Sequence, residues 1–463
     1  MRRLITIFYF LAFSSLLKGQ EIVFPLNEYL KIVKTAHPMI FQGRLLIDQG
    51  EAQKLKARGN FDPKVSIDYA SKTFDNTNYY QPLNANLKLP IWWGPEVKLA
   101  YENNDGAFIN NDQKLPPSGL ISAGIEMPLL QGLKFDKRRM EVLKSDLYQK
   151  ANEIEQLRLY NDLLYAATEA YFEWQFRYTI LTTVREITVI SKNNLDIVKA
   201  GFTSGDRPAI DTLEAYVNWQ SFIEQQIESE QAFINAEIDL NNYLWQDGFI
   251  PMELQDGRIP EEMDGSILFS QLSQINVNLN QWINNHPQLL LNQNKQSMID
   301  LDIRLRKELT KPVLNVNYNP LFSFENFNDV FITDNFKFGL QFGVPIRNRK
   351  ARAELQLAKL DARENEYEFE LKNLSIQNKI QIGLQSELAF NEQKTILGEN
   401  LIRYEQLLNV EQIKFRLGES SVFFLNQRQL KLLKANQDFI KIQIKQLKNR
   451  AKLWFLIVRG EAI

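Results

Sequence analysis

From about Phe135 to Ala200 the sequence keeps an apolar register at alternating three- and four-residue steps: Leu143, Leu147, Ile154, Leu157, Leu164, Tyr171, Trp174, Tyr178 and Leu181. Neither Pro nor Gly interrupts it between Gly132 and Gly201, so the pattern predicts one continuous helix. At 1.5 Å per residue, roughly 65 residues extend about 100 Å. Helices of compact domains run about 8–20 residues, so this one predicts a coiled coil, a membrane span, or the wall of a tunnel or rod. Asn, Gln, Glu and Lys fill the gaps between its apolar positions, which excludes a lipid-buried helix. A second such stretch runs from about Lys350 to Arg416, weakened by Gly383 and Gly398.

Length alone suggests about three domains, but the repetition argues for one elongated body made of two similar halves. Lys and Arg (54) nearly balance Asp and Glu (56), which leaves no bulk electrostatic case for a nucleic-acid partner. The chain has no Cys and two His. Thiolate chemistry and disulfides are therefore excluded, and neither a metal site nor a cofactor is expected. Arg2 and Arg3, the apolar run Leu4 to Leu17 and the small or polar residues around Gly19 have the layout of a secretory signal peptide, expected over 1–19. The bland alternative is a buried helix or an anchor. After residue 20 no run approaches 18 apolar residues, so membrane entry would require strands closed into a barrel.

Phe24 to Ala57 predicts a helix pair broken at His37-Pro38. Val65 to Tyr69 alternates with period two, as do Leu83 to Leu89, Val97 to Tyr101 and Leu120 to Met127. Asp75 to Gln81 and Asn103 to Ser118 read as polar loops. The long helix then ends at Gly201-Phe202-Thr203-Ser204-Gly205, and Pro208 opens a return helix of about Ala209 to Trp245. Gly248 to Ser266 reads as a connector, and Ile267 to Asn284 leads to His286-Pro287.

From there the order recurs. His37-Pro38 and His286-Pro287, and likewise Pro63 and Pro312, are separated by 249 positions (286 − 37 and 312 − 63). Leu314 to Tyr318 repeats the first strand, and Phe336 to Pro345 repeats Gly119 to Pro128. Phe415-Arg416-Leu417-Gly418 repeats Phe202-Thr203-Ser204-Gly205, and a last helix runs from about Ser420 to Trp454. The first half holds 32 more residues between its prolines (65 from 63 to 128, 33 from 312 to 345), and these contain what reads as an added hairpin around Trp92-Trp93-Gly94. The chain thus divides into a first repeat, 20–266, with strands at about 64–127 and a helical hairpin at about 135–245. The second repeat, 267–463, has strands at about 313–344 and a hairpin at about 350–457.

The fold class expected is mainly α with a membrane β-barrel contribution. Four to six strands cannot enclose a lumen, since about eight only make room for side chains. Three copies with four strands each would supply about twelve.

The chain resembles the TolC family of outer-membrane efflux proteins over essentially its whole length after residue 20. The likeness rests on the duplicated His-Pro helix and on the strand pairs ending in Pro128 and Pro345. It rests also on the basic residues that follow (Lys137, Arg138, Arg139; Arg347, Arg349) and on the two Phe-x-x-Gly turns. It implies a homotrimeric α/β barrel, with a twelve-stranded barrel in outer-membrane lipid and a helical periplasmic tunnel. It also implies docking on a periplasmic adaptor (membrane fusion) protein and an inner-membrane RND or ABC transporter. The function implied is the exit duct of a tripartite efflux or type I secretion system, conducting passively. The added hairpin departs from the family pattern.

Under that resemblance Phe202, Thr203, Ser204, Gly205, Phe415, Arg416, Leu417 and Gly418 form the adaptor-docking tip; the bland reading is that the glycines only cap helices. Asp211 stands where relatives carry an acidic residue, and copies of it could form a carboxylate ring narrowing the tunnel, against a solvated helix face. Phe423 and Phe424 form an apolar constriction or else interhelical core. Trp92 and Trp93 suit an aromatic girdle at a membrane interface, against burial elsewhere. The His residues lack a second His nearby, and the Tyr171, Trp174, Tyr178 stripe reads as core. A pore-free periplasmic coiled-coil adaptor or structural protein is the competing reading, but it leaves the strands unused. No phosphate loop, nucleophile elbow or His–Ser–carboxylate constellation supports an enzyme.

Overall fold

The structure is a computed structural model that describes residues 22–111, 114–255, 257–263, 283–323 and 334–457. The expected signal segment, 1–19, and most of the stretch from Ile267 to Asn284 lie outside the described residues. The chain begins with β1 (Ile22–Phe24), α1 (Leu26–Ala36) and α2 (Pro38–Arg58). His37 separates the helices with extended backbone, as a residue before proline must, and its Nδ1 accepts the Met39 N–H at 3.2 Å. Then come β2 (Lys64–Tyr69), β3 (Lys72–Phe74), β4 (Thr77–Pro90), β5 (Glu96–Asp105) and β6 (Leu120–Pro128). The helices α3 (Lys137–Thr203) and α4 (Ala209–Asn241) follow, and then the short strands β7 (Trp245–Gln246), β8 (Ile250–Pro251) and β9 (Arg258–Pro260). The second pass consists of α5 (Pro287–Leu309), β10 (Val313–Phe322), β11 (Phe336–Gly343), α6 (Arg349–Arg416) and α7 (Val422–Ile457).

The described residues fall into two units, each drawn from several stretches of chain. One takes in 45–155 and 287–372 and holds the large sheet. The strand order is β11-β10-β6-β5-β4-β2, every neighbouring pair antiparallel, with β3 carrying the line of β2 further along β4. One expectation changes here. Thr77 to Gln81 belongs to β4 and is not a loop: Asp75 and Asn76, both at φ 53°, make a two-residue left-handed turn that closes the hairpin at once. The added hairpin, β4 and β5, whose place the sequence left open, is built into the sheet between β2 and β6, so the sheet runs six strands across. Beneath the sheet Phe135, Met140 and Leu305 pack together, and Asn152 and Asn294 donate to the Leu46 and Leu147 carbonyls of neighbouring helices at 2.8 and 2.7 Å.

The other unit takes in residues up to 44, 156–286 and 373 onward. Its main core joins Tyr29, Leu30 and Val33 of α1 to Leu164, Tyr171 and Trp174 of α3, Leu240 of α4 and Trp454 of α7. The Tyr171 hydroxyl donates to the Phe24 carbonyl at 2.7 Å and accepts the Glu261 N–H at 3.2 Å, satisfying a buried phenol and fixing the parallel β1–β9 pair. That pair was not foreseen, since three-residue strands carry too little periodicity. The helix α6 runs unbroken through Gly383 and Gly398. A Cβ on Gly383 would strike the Leu453 side chain, and one on Gly398 would come within 3.3 Å of the Phe439 ring. These glycines therefore allow α7 to approach closely, which outweighs their low helix propensity.

Candidate functional site

The two turns at Gly205 and Gly418 are built alike. In each, the glycine N–H donates back three residues, to Phe202 O at 3.1 Å and to Phe415 O at 3.3 Å. The next N–H donates back five, Asp206 to Gly201 O at 2.8 Å and Glu419 to Lys414 O at 2.9 Å. This is the Schellman closure, and it requires the left-handed conformation that both glycines adopt, φ 77° and 78°. Thr203 and Ser204 turn their hydroxyls back onto helix carbonyls, Lys199 at 3.0 Å and Ala200 at 3.0 Å. Phe202 and Leu417 stand half to two-thirds exposed, and Arg416 donates along its own helix, to Gln412 O at 3.4 Å. Phe415, by contrast, is buried against Leu195, Val198, Ala215, Val422 and Leu425.

One residue that the sequence reading passed over ties the turns together. Arg207 places its guanidinium 3.8 Å from the Phe415 ring centroid and donates from Nη2 to the Phe415 carbonyl at 2.9 Å. The same guanidinium pairs with Asp211 at 3.6 Å. Asp211 is thus a partly buried partner of Arg207, not an unpaired carboxylate. Phe423 and Phe424 meet edge to face at 5.6 Å and are each about half exposed, so they lie outside the core of the single chain. Glu411 balances the second turn: it accepts from Ser420 at 2.6 Å and from Arg428 at 3.4 Å. The Ser420 hydrogen bond foremost, with Arg428 behind it, holds its carboxyl below the usual range. Arg207 could have been noticed as the one cation between Gly205 and Asp211, but its contact lies 208 residues away in sequence.

The sheet presents two chemically distinct faces. Cross-strand partners Val65, Leu87, Leu99 and Ala123 lie on one, as do Leu89, Val97, Ile125, Tyr318 and Phe338. On the opposite face the register aligns Lys64, Lys88, Lys98 and Gly124, and Asn319 with Lys337. Lys98 pairs with Glu126, and Lys337 reaches Glu102 at 2.9 Å, whereas Lys64 and Lys88 have no acidic partner among the described residues. Lys337 and Glu102 are three strands and four register positions apart, so in a flat sheet their Cα atoms would stand roughly 19 Å apart, beyond the reach of both side chains. The sheet therefore curls with its polar face inward. This alternation is the pattern of a wall between lipid and water.

Trp92 and Trp93 occupy the tight turn between β4 and β5. Trp92 stacks obliquely on Phe61 at 5.2 Å, and Trp93 is 76% exposed. Arg138 anchors this turn by pairing with Glu96 at 2.7 Å and Asp136 at 3.4 Å. Buried Arg139 pairs with Asp136 at 3.2 Å and donates to the Leu133 and Lys134 carbonyls, tying down the bend from strand to helix. The basic residues after Pro128 thus have structural work at this corner. Among the described residues no helix is long and apolar enough to cross a membrane.

No protein-family model matches the sequence, and no characterised protein matches it by sequence. Solved structures do match. The Campylobacter jejuni CmeC outer membrane channel superposes with a TM-score of 0.65 at 13% identity, over 94% of this chain and 86% of that one. The VceC outer membrane protein of Vibrio cholerae does so at 0.66 and 10%, over 94% and 96%. The open state of the Neisseria gonorrhoeae MtrE outer membrane channel does so at 0.65 and 11%, over 93% and 88%. The chain has the fold of these outer-membrane channels. The expected class, mainly helical with a strand wall, is the class of this channel fold. At such identities the likeness rests on backbone path and on the in–out pattern of side chains.

Proposed function

We propose that the chain is the subunit of an outer-membrane exit duct, three copies of which conduct substrates passively from an efflux or type I secretion assembly to the cell exterior. One observation carries this reading: a curled antiparallel sheet whose apolar face runs unbroken across six strands while its inner face is polar. Among the described residues the apolar side chains of the outer face lie open, with Val65, Ile67, Phe338 and Leu340 60–71% exposed. Hydrocarbon is the solvent that suits such a face, and a sheet can stand in hydrocarbon only when its edges are closed. The long helix pairs belong to the periplasmic side of this reading, and their paired turns meet a periplasmic adaptor that links the duct to an inner-membrane RND or ABC pump. Conduction needs no catalytic group. The two sequence repeats, 20–266 and 267–463, correspond to the two passes of strand and helical hairpin. The test is fractionation of cells expressing the full chain. The duct reading expects sedimentation with the outer membrane and a band whose migration shifts on boiling; a soluble periplasmic protein with no heat-dependent migration would overturn it.

A further inference from the structure

We infer that three copies close an eighteen-stranded wall, β2 of one copy pairing with β11 of the next, in place of the twelve-stranded wall that the TolC resemblance implies. This rests on the duct reading and fixes its bore.

The β4–β5 hairpin behaves in every respect as wall. Its strands pair with each other over ten consecutive residue pairs, from Gln81 with Asp105 to Pro90 with Glu96, and each pairs on its other side with β2 or β6. A barrel strand needs about 9–11 residues to cross the hydrocarbon, and β4 and β5 have 14 and 10. Leu83, Ala85, Leu87 and Leu89 on β4, and Val97, Leu99 and Tyr101 on β5, continue the apolar face of their neighbours. Lys88, Lys98 and Glu102 continue the polar one. A plug or an external flap would break one face or the other.

The edges identify the occupant. Six strands are too few to close on themselves, because about eight are needed merely to enclose side chains. Among the described residues β2 and β11 each have one neighbour in the sheet, so each presents an unpaired row of N–H and C=O groups. In a bilayer such a row must find a partner. With six strands meandering up and down, β2 and β11 run in opposite directions, so a second copy of this chain offers each the antiparallel complement it lacks. Three copies of six strands give eighteen, in the range that leaves an aqueous lumen, and about 1.5 times the diameter of a twelve-stranded wall.

Electron cryo-microscopy of the full-length trimer in lipid nanodiscs tests this in end-on view, where eighteen strands are expected. In parallel, Ser66→Cys on β2 is combined in turn with Lys337→Cys or Gln341→Cys on β11, all on the polar face. The chain has no cysteine of its own. At least one pair is expected to give interchain disulfides on oxidation, with neither single variant doing so. A membrane-inserted trimer showing twelve strands, with the hairpin outside the wall, would overturn the inference and leave the duct reading standing. Failure to find any membrane-inserted oligomer would overturn both. Cysteine pairs that never link chains in a correctly assembled trimer would overturn the β2–β11 seam.

Discussion

Gly205 and Gly418 are glycine for backbone reasons, because a Cβ at either meets no atom within 4 Å while φ is 77° and 78°. Alanine there costs only the left-handed strain, about 1–2 kcal/mol in the local turn. Gly205→Ala and Gly418→Ala are therefore expected to keep export, whereas Gly205→Trp and Gly418→Trp should abolish it while trimers still form on gels. Full export by both Trp variants would confine the glycines to capping. His286 offers a pH test. Burial chiefly, with Lys379 beside it, lowers its pKa from 6.5 to about 4. Above pH 6.5 the imidazole is neutral in folded and unfolded chains alike and contributes no pH dependence. As pH falls from 6.5 towards 4 the unfolded chain gains a proton that the folded chain refuses, so stability drops, by up to on the order of 3 kcal/mol. His286→Gln should flatten that part of the urea-midpoint profile; an unchanged slope would show that the histidine stays solvated. Among single residues, the sequence made the turn glycines legible through left-handed capping and repetition. It hid Arg207, whose ring and carbonyl contacts lie on a strand of chain two hundred residues on.

Among elements, the long helices were the most legible because their apolar spacing persists for 67 and 68 residues. The first half of β4 was not. Thr77-Asn78-Tyr79-Tyr80-Gln81 has no alternation, and its strand character comes from pairing with β3 and from the turn at Asp75-Asn76. The sheet also shows a row that one-dimensional reading cannot: Lys64, Lys88 and Lys98 become neighbours only once three strands are in register. Like charges placed opposite one another on a sheet repel, and Lys64 and Lys88 have no acid to relieve them among the described residues. In a lumen such a row draws anions. The double variant Lys64→Glu and Lys88→Glu is expected to move the reversal potential of single channels towards cation preference at about 50 mM salt. The difference should fade at about 1 M, where the screening length falls to roughly 3 Å. Equal selectivity of variant and parent at low salt would place these lysines off the conduction path.

At the level of the whole molecule, the proposed assembly from identical copies would make damage contagious. If every duct holds three chains, co-expressing equal amounts of parent and Gly205→Trp should leave about one-eighth of ducts wholly parental. Export is then expected to fall well below half, measured as substrate accumulation, whereas independent subunits would give a simple halving. The duplication that underlies this architecture was readable from paired His-Pro and Phe-x-x-Gly signals 249 and 213 positions apart (286 − 37 and 418 − 205). The number of strands was not, because nothing in a linear sequence says whether a hairpin joins a wall or hangs from it. Where the β4–β5 hairpin is spliced has a consequence of its own. It sits inside the sheet, so the outermost strands are the same ones a chain without it would present. If the sheet seals into a ring, inserting or deleting such a hairpin would change the strand number two at a time per chain and leave the seam strands as they are. Calibre would then be set by a single loop insertion, with the long coils and their turns untouched.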